Sequence, residues 1–163
     1  MTLVPTSGRL VYQLSDTDAD GILIDLLGHT LERLTTMGRL NLKWSVFDLD
    51  WMQREDGMLH WERVCERSRR RPGGWQLDDS GIRMFHAQSA QITDGLFLAG
   101  PRHAMLPTGQ PDEYGILQSE LALQAFDANF WRLSCNDCDV AKFIIGNFRR
   151  VVSSVLVAQR ATD

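Results

Sequence analysis

Between Leu117 and Ala125 apolar and polar positions alternate. Leu117, Leu121, Leu123 and Ala125 fall on one side, and Gln118, Glu120, Ala122 and Gln124 on the other. A period of two over this length predicts a half-buried strand. An Asp127-Ala128-Asn129 turn and the run Phe130 to Ser134 predict its hairpin partner. The chain then reads Cys135-Asn136-Asp137-Cys138, where a helix is expected to begin. Ala141, Ile144, Ile145, Phe148, Val152 and Val155 continue at helical spacing and predict that this helix reaches Leu156 with those residues inward.

Earlier in the chain, Arg9 to Leu14 predicts a first strand. Ile22, Leu23, Leu26, Leu27, Leu31, Leu34 and Met37 make an apolar stripe at helical spacing, opposite Asp25, His29, Glu32 and Thr36. Ser15 and Asp16 are expected to cap this first helix and Gly38 to stop it. Leu40, Leu42, Trp44 and Val46 alternate with polar neighbours and predict a second strand running on to Trp51. Met58 to Ser68 favours a short helix, broken by Arg69-Arg70-Arg71-Pro72-Gly73-Gly74. Ile82 to Ile92 predicts a third strand. Asp94-Gly95 has the composition of a type I′ turn, with Leu96 to Ala99 returning. Residues 100–115, rich in proline and glycine, predict a long loop.

These elements predict a single α+β domain over residues 1–163. Its sheet would be mostly antiparallel with about six strands, and two long helices, first and last, would pack on one face. A composition of 44% hydrophobic and 23% charged residues is that of a folded core rather than a disordered chain. No apolar run approaches the roughly 18 residues of a membrane span. Met1 to Gly8 carries neither a basic nor an apolar leader segment, and three cysteines do not make a secreted disulfide framework. A cytoplasmic protein is therefore expected, with no membrane partner. The formal net charge of −4 argues against nucleic acid as its main partner. The cations are almost all arginine, Lys43 and Lys142 being the only lysines, as codon bias in a GC-rich bacterial genome would give.

The candidate chemistry is sparse. Cys135 and Cys138 form a C-x-x-C at a strand-to-helix junction, where exposed amides would favour the Cys138 thiolate. Asp137 and Asp139 oppose that charge, and Cys135 shares a strand face with Trp131 and Leu133. A zinc site would need two more ligands, for which Cys65 and His60 are the candidates, but strong zinc signatures carry two tightly spaced pairs. Asp48 and Asp50 follow a strand as the aspartate pair of haloacid-dehalogenase phosphatases does, yet the match ends at those two residues. No phosphate-binding glycine loop, nucleophile elbow or H-E-x-x-H is present, so no cofactor is expected. Trp51, Trp61 and Trp75 fall near element ends beside Arg67 and Arg70, and tryptophan with arginine is a composition enriched where proteins bind proteins.

Leu121 to Phe148 opens LALQAFDANFWRLSCNDCDVAKF: a strand ends in an aspartate, an aromatic leads the next strand, and a helix packs back. This resembles the closing element of several small bacterial families, some of them immunity proteins of toxin systems. The resemblance carries no diagnostic motif and transfers no residue role; it implies binding rather than catalysis. The expectation is thus a non-catalytic protein-binding domain of a bacterial protein, an immunity or regulatory partner. Its contact residues would be Trp51, Trp61, Trp75, Arg67 and Arg70. Two alternatives stand beside it: a thiol- or zinc-dependent enzyme using Cys135 and Cys138, and the structural subunit of a homo-oligomer such as a homo-dimer.

Overall fold

The computed structural model describes residues 8–70, 73–104 and 112–157, without the side chains of Arg70 and Asp112. Arg71 and Pro72 of the expected chain break, residues 105–111 of the expected loop and most of the Met1 to Gly8 segment lie outside the described residues.

The elements in chain order are β1 (Arg9–Leu14), α1 (Leu26–Thr36), β2 (Lys43–Gln53), α2 (Trp61–Arg70), β3 (Trp75–Leu77) and α3 (Asp79–Ala87). They continue with β4 (Ser89–Gly100), α4 (Asp112–Gln118), β5 (Leu121–Phe126), β6 (Phe130–Cys135), α5 (Cys138–Ile145) and β7 (Val151–Leu156). The seven strands form one sheet in the order β3-β2-β4-β5-β6-β1-β7, antiparallel at every pairing. The α+β class and the antiparallel sheet are therefore as the periodicity predicts. The expected six strands are seven, and the two long helices and one short helix expected are five described helices, the short one matching α2.

Strand alternation sorts the core into two layers. Trp44, Val46, Phe97, Leu123, Trp131 and Leu133 point to one face and meet Leu27, Leu31 and Leu34 of α1, Phe85 of α3 and Ile144 of α5. On the other face Leu96, Leu98 and Ala122 meet Ile116 of α4, with Phe47 and Leu156 beside them. β5 is accordingly buried on both faces, not half-buried as its alternation predicts, because Ala122 and Gln124 are also covered.

Local chemistry sets the helix ends. Asp25 caps α1, its carboxylate accepting the Gly28 amide at 3.0 Å. The helix therefore starts later than Ile22. Residues 15–25 instead form a turn in which Asp18 accepts the Asp20 and Ile22 amides, both at 2.9 Å. Gly38, at φ +69°, ends α1 as expected. The Arg39 amide donates to Leu34 O and the Gly38 amide to Thr35 O, the two bonds that let a glycine in the left-handed region close a helix.

Three expectations fail for identifiable reasons. Ile82 to Ile92 is not one strand: Ile82 and Phe85, one helical turn apart and both fully buried, belong to α3, which Asp78 caps through the Gly81 amide at 2.7 Å. Asp94-Gly95 is no turn, because β4 has a strand on each side: Asp94 pairs with Asp50 across a bulge in the β2 ladder and Gly95 pairs with Ala125 of β5. Gly95 sits there at φ +154°, and Asp94 turns its carboxylate to the Asp127 amide at 2.9 Å. Finally, α5 stops at Ile145, and Val151 to Leu156 become a strand against β1. Ala141 and Ile144 are inward as expected, whereas Val152 and Val155 are exposed. β-branched residues favour that extended state, and the helical stripe ends where the chain breaks at Gly146.

Candidate functional site

The cysteine pair closes β6 and opens α5. Cys135 is buried, and that burial pushes its thiol above the ordinary range despite the Asp137 amide and the nearby Arg9 and Arg39. Cys138 is exposed at the first position of α5, and both sulfurs are free thiols. Asp137 takes the helix-start amides itself, accepting from Asp139 at 2.9 Å and Val140 at 3.3 Å, so those donors are not directed at a sulfur. Cys65, whose thiol is likewise raised by burial, lies in α2 against β2, and His60 is exposed just before that helix. Two strands separate β2 from β6 in the sheet, about 14 Å at the usual strand spacing. The four zinc candidates are therefore not brought together, and among the described residues no three His, Cys, Asp or Glu side chains form a metal-sized group.

The tryptophan group divides. Trp51 and Trp75 are buried and pack edge-on against Phe85, at ring separations of 5.0 and 5.5 Å. Neither can belong to a surface. Trp61 is 42% exposed and lies along the margin of the sheet. β3 pairs only with Trp44, Ser45 and Val46, so β2 runs on without a neighbouring strand. Side chains of α2 take over: Trp61 Nε1 donates to Trp51 O at 2.7 Å, and Ser68 Oγ accepts the Leu49 amide at 3.0 Å while donating to Cys65 O. Trp61 is thus held by its indole N–H while part of its side chain stays exposed. Arg67 is exposed on the same helix, and the Arg70 side chain lies outside the described residues.

Two exposed methionines, Met58 before α2 and Met84 on α3, are tied to a single residue. Met58 is 88% exposed and Met84 55% exposed. Their backbones meet at Gln88, whose Oε1 accepts the Met58 and Leu59 amides at 2.7 and 2.8 Å and whose Nε2 donates to Met84 O at 3.4 Å. Arg54 adds a rim, its amide donating to Gln88 O and its Nε to Ser89 O. Sequence reasoning misses Met84 because it takes that stretch for a strand. It misses Met58 because a single exposed methionine leaves no periodic signal. The Gln88 clamp joins residues about thirty apart and has no local signature.

Two other places hold titratable groups. An open cleft of about 730 Å³ runs beside α4 and the end of β4, with Arg9, His103, Tyr114 and Asn136 in its wall. Two of its basic groups, Arg9 and His103, are engaged with backbone, and Arg102 is exposed at its wall. Arg9 donates to Ile116 O and Glu120 O at 2.7 and 2.9 Å, and the His103 ring bonds Trp44 O at 3.0 Å. Elsewhere His86 contacts the Asp25 carboxylate closely and ties the start of α1 to α3. Burial pulls Asp25 upward, but the hydrogen bond from His86, the Gly28 amide and the His86 charge outweigh it and hold the carboxyl below its ordinary value. His29, expected at the surface, bridges α1 to α5 through Ile144 O at 2.9 Å, with Phe148 edge-on at 4.9 Å.

No described helix is long and apolar enough to cross a membrane. No family model, curated protein or solved structure matches the chain.

Proposed function

We propose that this chain is a non-catalytic protein-binding domain whose contact surface is the Met58, Trp61 and Met84 patch. The observation that carries the reading is the exposure of three large apolar side chains: Met58 and Met84, whose backbones are tied to Gln88, and Trp61, at the start of α2, with Arg54 bonded to Gln88 O and Arg67 farther along α2. Methionine is unbranched and polarizable, which suits a surface that must fit another protein's contours. Tryptophan and arginine supply rigid anchors at such contacts. Of the expected contact residues, Trp61 and Arg67 remain in this proposal, and Trp51 and Trp75 act beneath it as its support. The bacterial, immunity or regulatory setting rests on the likeness of the closing element alone.

The test is a photo-crosslinking amino acid placed at Met58 or Met84 in the producing cell, with exposed Glu113 on α4 as the control position. One discrete adduct from both patch positions, absent from the control, supports the reading. No adduct at either position would refute it. An immunity role further requires the captured partner to be toxic when made without this chain.

The thiol or zinc enzyme has less in its favour. A raised, buried Cys135 is a poor nucleophile, and the candidate ligands sit on separate parts of the sheet.

A further inference from the structure

β7 borders the sheet on the side away from β3. It pairs with β1 along its whole length, from Val151 opposite Leu14 to Leu156 opposite Arg9, and no described strand lies against its other side. The Ser15 amide donates to Arg150 O at 3.1 Å, so backbone groups at even positions turn toward β1. By antiparallel alternation those of Val151, Ser153 and Val155 turn outward. The strand reads Val-Val-Ser-Ser-Val-Leu, with no charge, proline or glycine, and Val152 and Val155 are 66% and 61% exposed. Natural sheets normally guard such a margin with lysine, proline, a bulge or a covering element.

We propose that the free side of β7 pairs with β7 of a second copy of this chain, antiparallel about a two-fold axis at Ser153. The case for a copy is the strand's fit to itself. A two-fold axis normal to a sheet opposes only residues of the same face, so odd positions meet odd and even meet even. With the axis at Ser153, that residue meets its own copy, Val151 meets the copy of Val155, and Val152 meets the copy of Ser154. The three outward-facing residues then exchange all their N–H and C=O groups. Valine meets valine on the face that also carries half-exposed Leu10. No charge opposes itself, since Arg150 falls opposite Leu156. The far margin is occupied by β3 and α2, so the assembly closes at two copies instead of growing into a fibre. This surface lies across the sheet from the Met58 patch and does not depend on it.

The test is sedimentation of the full chain over a concentration series. The mass should rise from 18.5 kDa toward twice that value. Ser153→Lys and Ser153→Glu each place like charges at the axis and should weaken the dimer at least about tenfold. An equimolar mixture of the two variants should recover it. Because the Ser153 N–H faces outward, Ser153→Pro should keep the fold by circular dichroism and lose the dimer. A wild-type chain that stays at 18.5 kDa throughout would overturn the proposal. So would a dimer indifferent to all three Ser153 variants, or one lost only on Met58→Ser with Met84→Ser, which would put the contact on the methionine patch.

Discussion

On one side of the sheet β2 outlasts its three-residue neighbour β3, and α2 supplies the missing hydrogen bonds from the Trp61 and Ser68 side chains. On the other side β7 presents six residues with no such cover among the described residues. The guarded margin needs particular residues: an indole N–H at one position, a hydroxyl at another, and Val64 and Cys65 buried beneath to seat the helix. The bare margin needs only extended backbone. Substitution should therefore damage the first through folding and the second through association.

The largest effect should come from Val64→Asp, which drives a charge into the seat of α2. A loss above about 4 kcal/mol, or outright unfolding, is expected in urea titration. Ser68→Ala leaves the buried Leu49 amide without its acceptor and should cost about 1–3 kcal/mol, with faster hydrogen exchange at Leu49. Trp61→Phe keeps the ring and removes only the N–H to Trp51 O, an expected loss of about 1 kcal/mol. Val152→Lys on the bare margin should change monomer stability by less than about 0.5 kcal/mol. If Val152→Lys proves as costly as Ser68→Ala, the two margins do not differ in the way described.

Acid offers a further contrast, because the helix caps lie away from both margins. Asp137 is lowered by the Val140 and Asp139 amides it accepts, and by Arg39. Asp25 is lowered by His86 and Gly28 in spite of burial. Carboxyl groups depressed in the folded state stabilise it fully above the unfolded carboxyl value of about 4, and that contribution disappears as pH falls through their folded values. Acid titration should therefore loosen α1 and α5 first, while the Leu49 amide stays protected in exchange measurements. Earlier loss at Leu49 would reverse that order.

The sequence makes the strands with regular alternation legible: β1, the Trp44 stretch of β2, and the β5–β6 hairpin. It hides β4. Asp94-Gly95 carries turn chemistry, and only neighbours distant in sequence, β2 and β5, hold those residues extended. α5 and β7 merge in the sequence because the valine-rich run after Gly146 continues the helical spacing, and β7 exists by pairing with residues 9–14. The candidate surface was half visible. Trp61 and Arg67 stand out by residue type, whereas Met58 and Met84 come together only through the Gln88 amide. The buried fate of Trp51 and Trp75 follows from Phe85, which the sequence hides by predicting a strand where α3 forms.

The place of β1 between β6 and β7 bears on how the protein is made. Val11 lies opposite Ser134 on one flank and Ser154 on the other, so this strand leaves the ribosome more than a hundred residues ahead of both neighbours. Local hairpins such as β5–β6 can close as they emerge, but the Arg9 to Leu14 segment must wait, unpaired, while more than a hundred further residues are made. Contacts spanning that distance make for slow closure. Insertion of this one strand, joining β6 to β7, is then the event that completes the sheet.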